Sequence, residues 1–208
     1  MSEALLLASA SPRRRELLER VGVRLVVSPV EVDETALPDE PPDAYLERIV
    51  TAKQAAAVER LAHGAPSPHP RSGVAAAHAG VLVADTTVIC DEVILSKPRG
   101  DAEATTMIHL LAGRWHRVAT RFALLSPDRR QVARTISTRV RFRPLSTEEI
   151  QAYVDTREGV DKAGGYGIQG IGAMLVEAIE GSYTNVVGLP LAEVVVALQE
   201  LEMWSPQR

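Results

Sequence analysis

Ser9-Ala10-Ser11-Pro12-Arg13-Arg14-Arg15 places two hydroxyls and three guanidinium groups where an apolar run, Leu5-Leu6-Leu7-Ala8, gives way to a helical pattern. Ser11 fits an N-cap and Pro12 the first helical position. A helix start offers unpaired amide donors and a dipole that favours anions. Arginines in that first turn oppose the dipole and repel one another, so this order of residues suits a phosphate ligand. A solvated helix face is the other reading of the same turn.

Asp85 interrupts the strongly apolar run Val81-Leu82-Val83-Ala84 to Val88-Ile89-Cys90. An ionised carboxylate in such a run needs a cation, a metal or several donors beside it. Placed there it could hold a divalent ion or take a proton from water; the other reading is a strand that ends at Ala84. Lys97-Pro98 is a lysine stiffened by proline, suited to a phosphate contact or equally to solvent. Lys53 follows an acidic loop with Glu31, Asp33 and Glu34, which makes it a cation near candidate metal ligands. The run from Asp161-Lys162 through Gly164-Gly165, Gly167 and Gln169-Gly170 allows close backbone approach to a ligand, although such runs are commonly plain turns.

Strands and helices alternate along the chain, which predicts an α/β fold. Strands are expected at 4–8, 23–27, 81–90, 93–95, 115–125, 131–142 and 174–179. Helices are expected at 12–21, at 42–62 with Tyr45, Leu46, Ile49 and Val50 at helical spacing, and from an Asp101 cap to Leu111. A further helix follows the Ser146/Glu149 capping box, and a last one opens at Pro190. Gly181 to Pro190 reads as a loop. Residues 63–80, rich in Pro, Gly, Ala, Ser and His, read as a flexible surface insertion in one domain spanning 1–208; the histidines there match no metal-ligand spacing.

The 208 residues suffice for one sizeable core, and the net charge of −4 without a basic tail argues against a protein that grips nucleic acid. The single cysteine, Cys90, cannot form an internal disulfide, so a cytoplasmic location is expected. The start has no signal-like n-region, no apolar stretch approaches ~20 residues, and no membrane association is expected.

Taken in order, Ala8-Ser9-Ala10-Ser11-Pro12-Arg13-Arg14, Val32-Asp33-Glu34, Lys53, Ala84-Asp85-Thr86, Lys97-Pro98, Asp161 to Gly170 and Val187-Gly188-Leu189-Pro190 resemble the Maf family of nucleoside triphosphate pyrophosphatases. The resemblance implies an α/β fold of the inosine-triphosphate-pyrophosphatase kind: an elongated mixed β-sheet, two α/β lobes and a central cleft. It implies hydrolysis between the α- and β-phosphorus with a divalent cation, Mg²⁺, Mn²⁺ or Co²⁺, and a homodimer. It assigns the general base to Asp85, substrate binding to Ser9, Arg13, Arg14, Lys53, Lys97 and Lys162, and metal binding to Glu34 and Asp85.

Arg13, Thr86 and Gln169 match the specificity positions of the dTTP and UTP branch. A branch acting on 7-methyl-GTP differs there, and other purine triphosphates or a septum-formation role exerted by binding are the rival readings. The departures are Arg15, which no motif claims and which reads as a solvated residue, and the 63–80 insertion.

Overall fold

The computed structural model describes residues 4–63 and 78–205. Among them are seven strands in one mixed sheet, ordered β2-β1-β3-β5-β6-β7 with β4 paired to β3. The strands are β1 (Ala4–Leu7), β2 (Leu25–Val27), β3 (His78–Cys90), β4 (Val93–Leu95), β5 (Trp115–Leu125), β6 (Gln131–Phe142) and β7 (Val176–Glu180). β1 runs parallel to β2 and to β3, whereas β3/β4 and β6/β7 are antiparallel. The helices are α1 (Pro12–Arg20), α2 (Pro42–Ala62), α3 (Asp101–Leu111), α4 (Thr147–Asp155), α5 (Tyr183–Val187) and α6 (Leu191–Glu200). No helix among the described residues is long and apolar enough to cross a membrane.

The chain divides into two compact units: Met1–Asp85 with Arg121–Thr135 and Gly188–Arg208, and Thr86–Thr120 with Ile136–Val187. In the first unit, Leu6, Ala8, Val50, Ala57, Val81, Val83 and Ala123 form one buried apolar cluster. Each aliphatic side chain taken fully out of water there contributes roughly 1.5–3 kcal/mol, which fixes β1 between its parallel neighbours and sets α2 upon them. The buried stripe of α2 comprises Tyr45, Leu46, Ile49, Val50, Lys53 and Ala57, so a lysine takes a core position at helical spacing.

In the second unit, His116, Phe142 and Tyr166 meet edge to face, with ring centroids 4.8 to 5.5 Å apart. The His116 Nε2 lies 2.8 Å from the Tyr166 hydroxyl, while its Nδ1 is buried without a partner. Burial pushes the imidazole pKa down to about 4.

Local signals hold for most elements. Ser11 caps α1 through a bond from the Arg14 amide, Pro12 opens the helix, and the Ser146/Glu149 capping box closes around the start of α4. Three expectations are corrected. Gly100, not Asp101, is the N-cap of α3. The strand expected from Met174 starts at Val176, because the amides of Ile171 and Gly172 donate to the Glu158 carboxylate at 2.6 and 2.8 Å and wind residues 171–175 into a 3-10 turn. The stretch from Gly181 to Pro190 contains helix α5, whose start is held by the Ser182 hydroxyl accepting from the Asn185 amide at 3.3 Å. Of the insertion expected at 63–80, residues 64–77 lie outside the described residues; His63 is the C-cap of α2.

Candidate active site

In the first unit the turn after β1 delivers Ser9 and then α1 presents Arg14, whose side chain is buried. The guanidinium fork donates from Nε to the Gly188 carbonyl at 2.8 Å, and from Nη1 to the Ala84 carbonyl at 2.8 Å and to Ser9 Oγ at 3.0 Å. Burial lowers its pKa, while the charges of Asp85 and Glu34 work against that. Arg14 thus ties together the serine turn, the residue before Asp85 and the approach to α6. Ser9 Oγ also accepts from the Ser11 amide at 3.3 Å, so both of its lone pairs are engaged and its proton is what it has to offer an anion.

Asp85 sits on β3 with its side chain 12 % exposed, and its Oδ1 accepts from the Lys53 ammonium at 2.6 Å. The same ammonium lies 2.6 Å from Glu34 Oε1, on a side chain that is more open to solvent. Two carboxylates therefore converge on one cation. Glu34 belongs to a loop held against α2: the Tyr45 hydroxyl donates to the Glu34 carbonyl at 3.1 Å, and Arg48 donates to Thr35 O at 3.0 Å. Arg48 also forms a two-point pair with Glu40, which pulls that carboxyl down to about 2. Burial, reinforced by the Asp85 and Glu34 charges, raises the Tyr45 phenol far above its ordinary value, so it stays a donor.

The oxygens of Asp85 and Glu34 are hard donors of the kind Mg²⁺ takes, one or two from protein and the rest from phosphate and water. No group of three or more His, Cys, Asp or Glu that could hold a metal occurs among the described residues. Asp85 and Glu34 supply two such oxygens, a donor set that suits a hard divalent cation.

Arg13, half-buried in the first turn of α1, stands close enough to Arg14 for their charges to repel. Arg15 is exposed and pairs with Glu19 at 2.8 Å along the helix.

In the second unit, Thr86 is half-buried and its Oγ1 lies 2.9 Å from Thr120 Oγ1. Thr120 in turn donates to the Asn185 carbonyl at 3.3 Å. Lys97 is exposed just past β4, where the Gly164 amide donates to the Ser96 carbonyl at 3.2 Å. Lys162 is engaged inside its own loop, donating to Asp161 Oδ1 at 2.6 Å and to the Glu158 carbonyl. Gln169 is exposed in the turn that follows.

Of the residues singled out in the sequence, Ser9, Arg14, Glu34, Lys53 and Asp85 are joined by hydrogen bonds and close charges in the first unit. Thr86, Lys97, Lys162 and Gln169 belong to the second unit. Tyr45, Thr120 and Asn185 belong to none of the motifs in the sequence. Tyr45 was visible only as part of a helical stripe, while Thr120 and Asn185 are polar residues amid apolar neighbours, a weak signal for Asp85-like scrutiny.

These features define an α/β protein in which a buried lysine joins two carboxylates next to an arginine-braced serine turn. The chain belongs to the Maf-like protein family, whose model matches residues 4–201. It is 43% identical over 203 residues to the dTTP/UTP pyrophosphatase of Hahella chejuensis, covering 97% of this chain and 94% of that protein. It is 44% identical over 200 residues to the dTTP/UTP pyrophosphatase of Methylobacillus flagellatus (96% and 94% covered). The protein of the same name from Myxococcus xanthus is 44% identical over 204 residues (98% and 95%). A crystal structure of the nucleoside-triphosphatase / dITP/XTP pyrophosphatase from Mycobacterium abscessus aligns over 94% of this chain and 93% of its own at 15% identity with a TM-score of 0.45, too slight a likeness to argue from.

Proposed function

We propose that this chain is a nucleoside triphosphate pyrophosphatase that converts dTTP and UTP to the monophosphate and pyrophosphate, a house-cleaning role on the nucleotide pool. The observation that carries the reading is the Asp85–Lys53–Glu34 cluster next to the Ser9–Arg14 turn, in a chain whose relatives at 43–44% identity bear that name.

Asp85 is the general base. Lys53 holds Oδ1, so Oδ2 is the oxygen that takes a proton from water as the water oxygen bonds to the α-phosphorus. The bond from that phosphorus to the bridging oxygen breaks in line, and pyrophosphate carries the electron pair away. Ser9, Arg13, Lys53, Lys97 and Lys162 are the substrate-binding donors, since several cations are needed against about four phosphate charges worth ~4 kcal/mol per close pair at an effective dielectric near 20. Arg14 belongs to that set and also holds the Ala84 carbonyl, and with it the backbone of the base. Glu34 and Asp85 would hold Mg²⁺, Mn²⁺ or Co²⁺, whose chemistry when bound is to neutralise phosphate charge and favour ionised water. Thr86 and Gln169, with Arg13, read the pyrimidine. A homodimer and a cytoplasmic location are part of the same proposal.

The test is pyrophosphate release over the common and several modified triphosphates, with Mg²⁺, Mn²⁺ and Co²⁺ compared. Fastest turnover with dTTP and UTP is expected; a preference for 7-methyl-GTP or inosine triphosphate would overturn the pyrimidine reading. Absence of release from every triphosphate would overturn the enzyme.

A further inference from the structure

We propose that Glu158 is a positioning residue for base recognition: with the Tyr153 hydroxyl, its carboxylate clamps the backbone on both sides of Gln169 and so fixes where that amide meets the base, Gln169 being read as base-contacting as in the proposed function.

Glu158 is half-buried just past the end of α4. An ionised carboxylate only accepts, and here both of its oxygens are engaged. Oε2 accepts from the Ile171 amide at 2.6 Å, while Oε1 accepts from the Gly172 amide at 2.8 Å and from the Tyr153 hydroxyl at 3.3 Å. The Tyr153 oxygen accepts in turn from the Gly167 amide at 3.1 Å. One carboxylate therefore holds the chain after Gln169 directly, and the chain before it through a phenol.

The clamp leaves little slack between its ends. A Cβ on Gly170 would stand 2.1 Å from Glu158 Oε2, so the carboxylate lies against the backbone next to Gln169. A Cβ on Gly172 would meet the Gly167 carbonyl oxygen at 2.5 Å, which packs the two ends of the turn on each other. Ile168 and Tyr153 are buried, so the post on which Gly167 hangs is fixed in the core. Between Gly167 and Gly172 the one polar side chain is that of Gln169, and it is exposed.

Hydrogen bonds to an ionised acceptor are roughly twice as strong as neutral ones. Glu158→Gln keeps the shape but leaves one accepting oxygen, and its NH₂ group then faces the amide of Ile171 or of Gly172 donor to donor. A misplacement of about 1 Å in a recognition group can cost about a hundredfold in rate. UTP and inosine triphosphate share ribose and triphosphate and differ only in the base. Misplacement of a base-reading group therefore shows in the ratio of the two substrates, whereas general damage lowers both.

The experiment measures kcat/KM for UTP and inosine triphosphate, by pyrophosphate release, in wild type, Glu158→Gln, Tyr153→Phe, Gln169→Ala and the double variant Glu158→Gln/Gln169→Ala. Glu158→Gln is expected to lower the UTP:inosine triphosphate ratio about tenfold. Tyr153→Phe, which removes only the hydroxyl on the Gly167 side of the clamp, is expected to lower it as well and reads the same ratio if the first variant folds poorly. Because Glu158 acts through Gln169, the double variant should have the ratio of Gln169→Ala to within about twofold. Both substrates falling together in Glu158→Gln, or independent, multiplying losses in the double variant, would overturn the proposal. If Gln169→Ala lowers the ratio and neither clamp variant does, the inference falls alone. If Gln169→Ala leaves the ratio unmoved, the reading of Gln169 falls and the inference with it, and a wild type that does not favour UTP brings down the pyrimidine reading as well.

Discussion

The Lys53 ammonium stands 2.6 Å from Asp85 Oδ1, joining a helix and a strand that are 32 positions apart in the chain. Both side chains are nearly buried, so the pair is held in place by packing as well as by charge. Its two halves are not equivalent, because Lys53 has a second carboxylate in Glu34.

That asymmetry separates chemistry from folding. Asp85→Asn leaves the ammonium its Glu34 partner, and is expected to melt near wild type while kcat falls by about 10²–10⁴. Lys53→Met leaves a buried carboxylate without its ammonium and is expected to cost about 3 kcal/mol or more. Calorimetry of the two variants beside wild type checks this; equal melting temperatures for both would show that the pair does not bear on stability.

Arg14 should not tolerate lysine. The fork reaches two backbone carbonyls and a hydroxyl, and an ammonium cannot reproduce that geometry. Arg14→Lys is expected to lose about 1–3 kcal/mol in urea unfolding, the cost of a buried acceptor left unpaired, and to lower turnover by displacing Ala84 and Asp85. Unchanged turnover in a destabilised variant would confine Arg14 to a structural role.

His116 makes stability depend on pH. Its pKa is pushed down to about 4 in the folded chain by burial, from an ordinary value of 6.5. Between those values the unfolded chain binds more protons, so stability is complete above the upper value and falls as pH drops toward the lower. Between pH 7 and pH 5 this histidine is expected to remove about 2 kcal/mol. Urea midpoints for wild type and His116→Phe at both pH values test it, with the variant's midpoint moving less.

Gly159 has no room for a side chain. A Cβ there would lie 1.8 Å from the Gly165 carbonyl oxygen, so the backbone of the loop bearing Lys162 and Gln169 would have to shift. Gly159→Ala is expected to cost about 1–3 kcal/mol and to open that loop to proteases. Gly100→Ala is the control, its Cβ meeting nothing within 4 Å, and it should change stability by no more than about 0.5 kcal/mol.

Much of this was legible before folding, for reasons that are local. α2 begins at Pro42 and ends before His63 as its apolar spacing and stop residues require, and the β5 and β6 boundaries coincide with changes in alternation. The elements that departed from expectation did so through distant partners. Residues 171–175 coil because Glu158 accepts their amides, and α5 forms where Ser182 caps it and Thr138 anchors Asn185.

The sequence by itself determined the alternating α/β order, the carboxylate misplaced in an apolar strand, and the serine-arginine turn, since each is written in residue type and short-range spacing. Only the tertiary structure decided how those residues are used. Lys53 looks ordinary in the sequence, but the buried stripe of α2 carries it to Asp85 and Glu34, and Arg14 braces the backbone beside Asp85. Ion pairs and buried hydrogen bonds between distant positions exist only once packing has brought their elements together, so no local spacing can announce them.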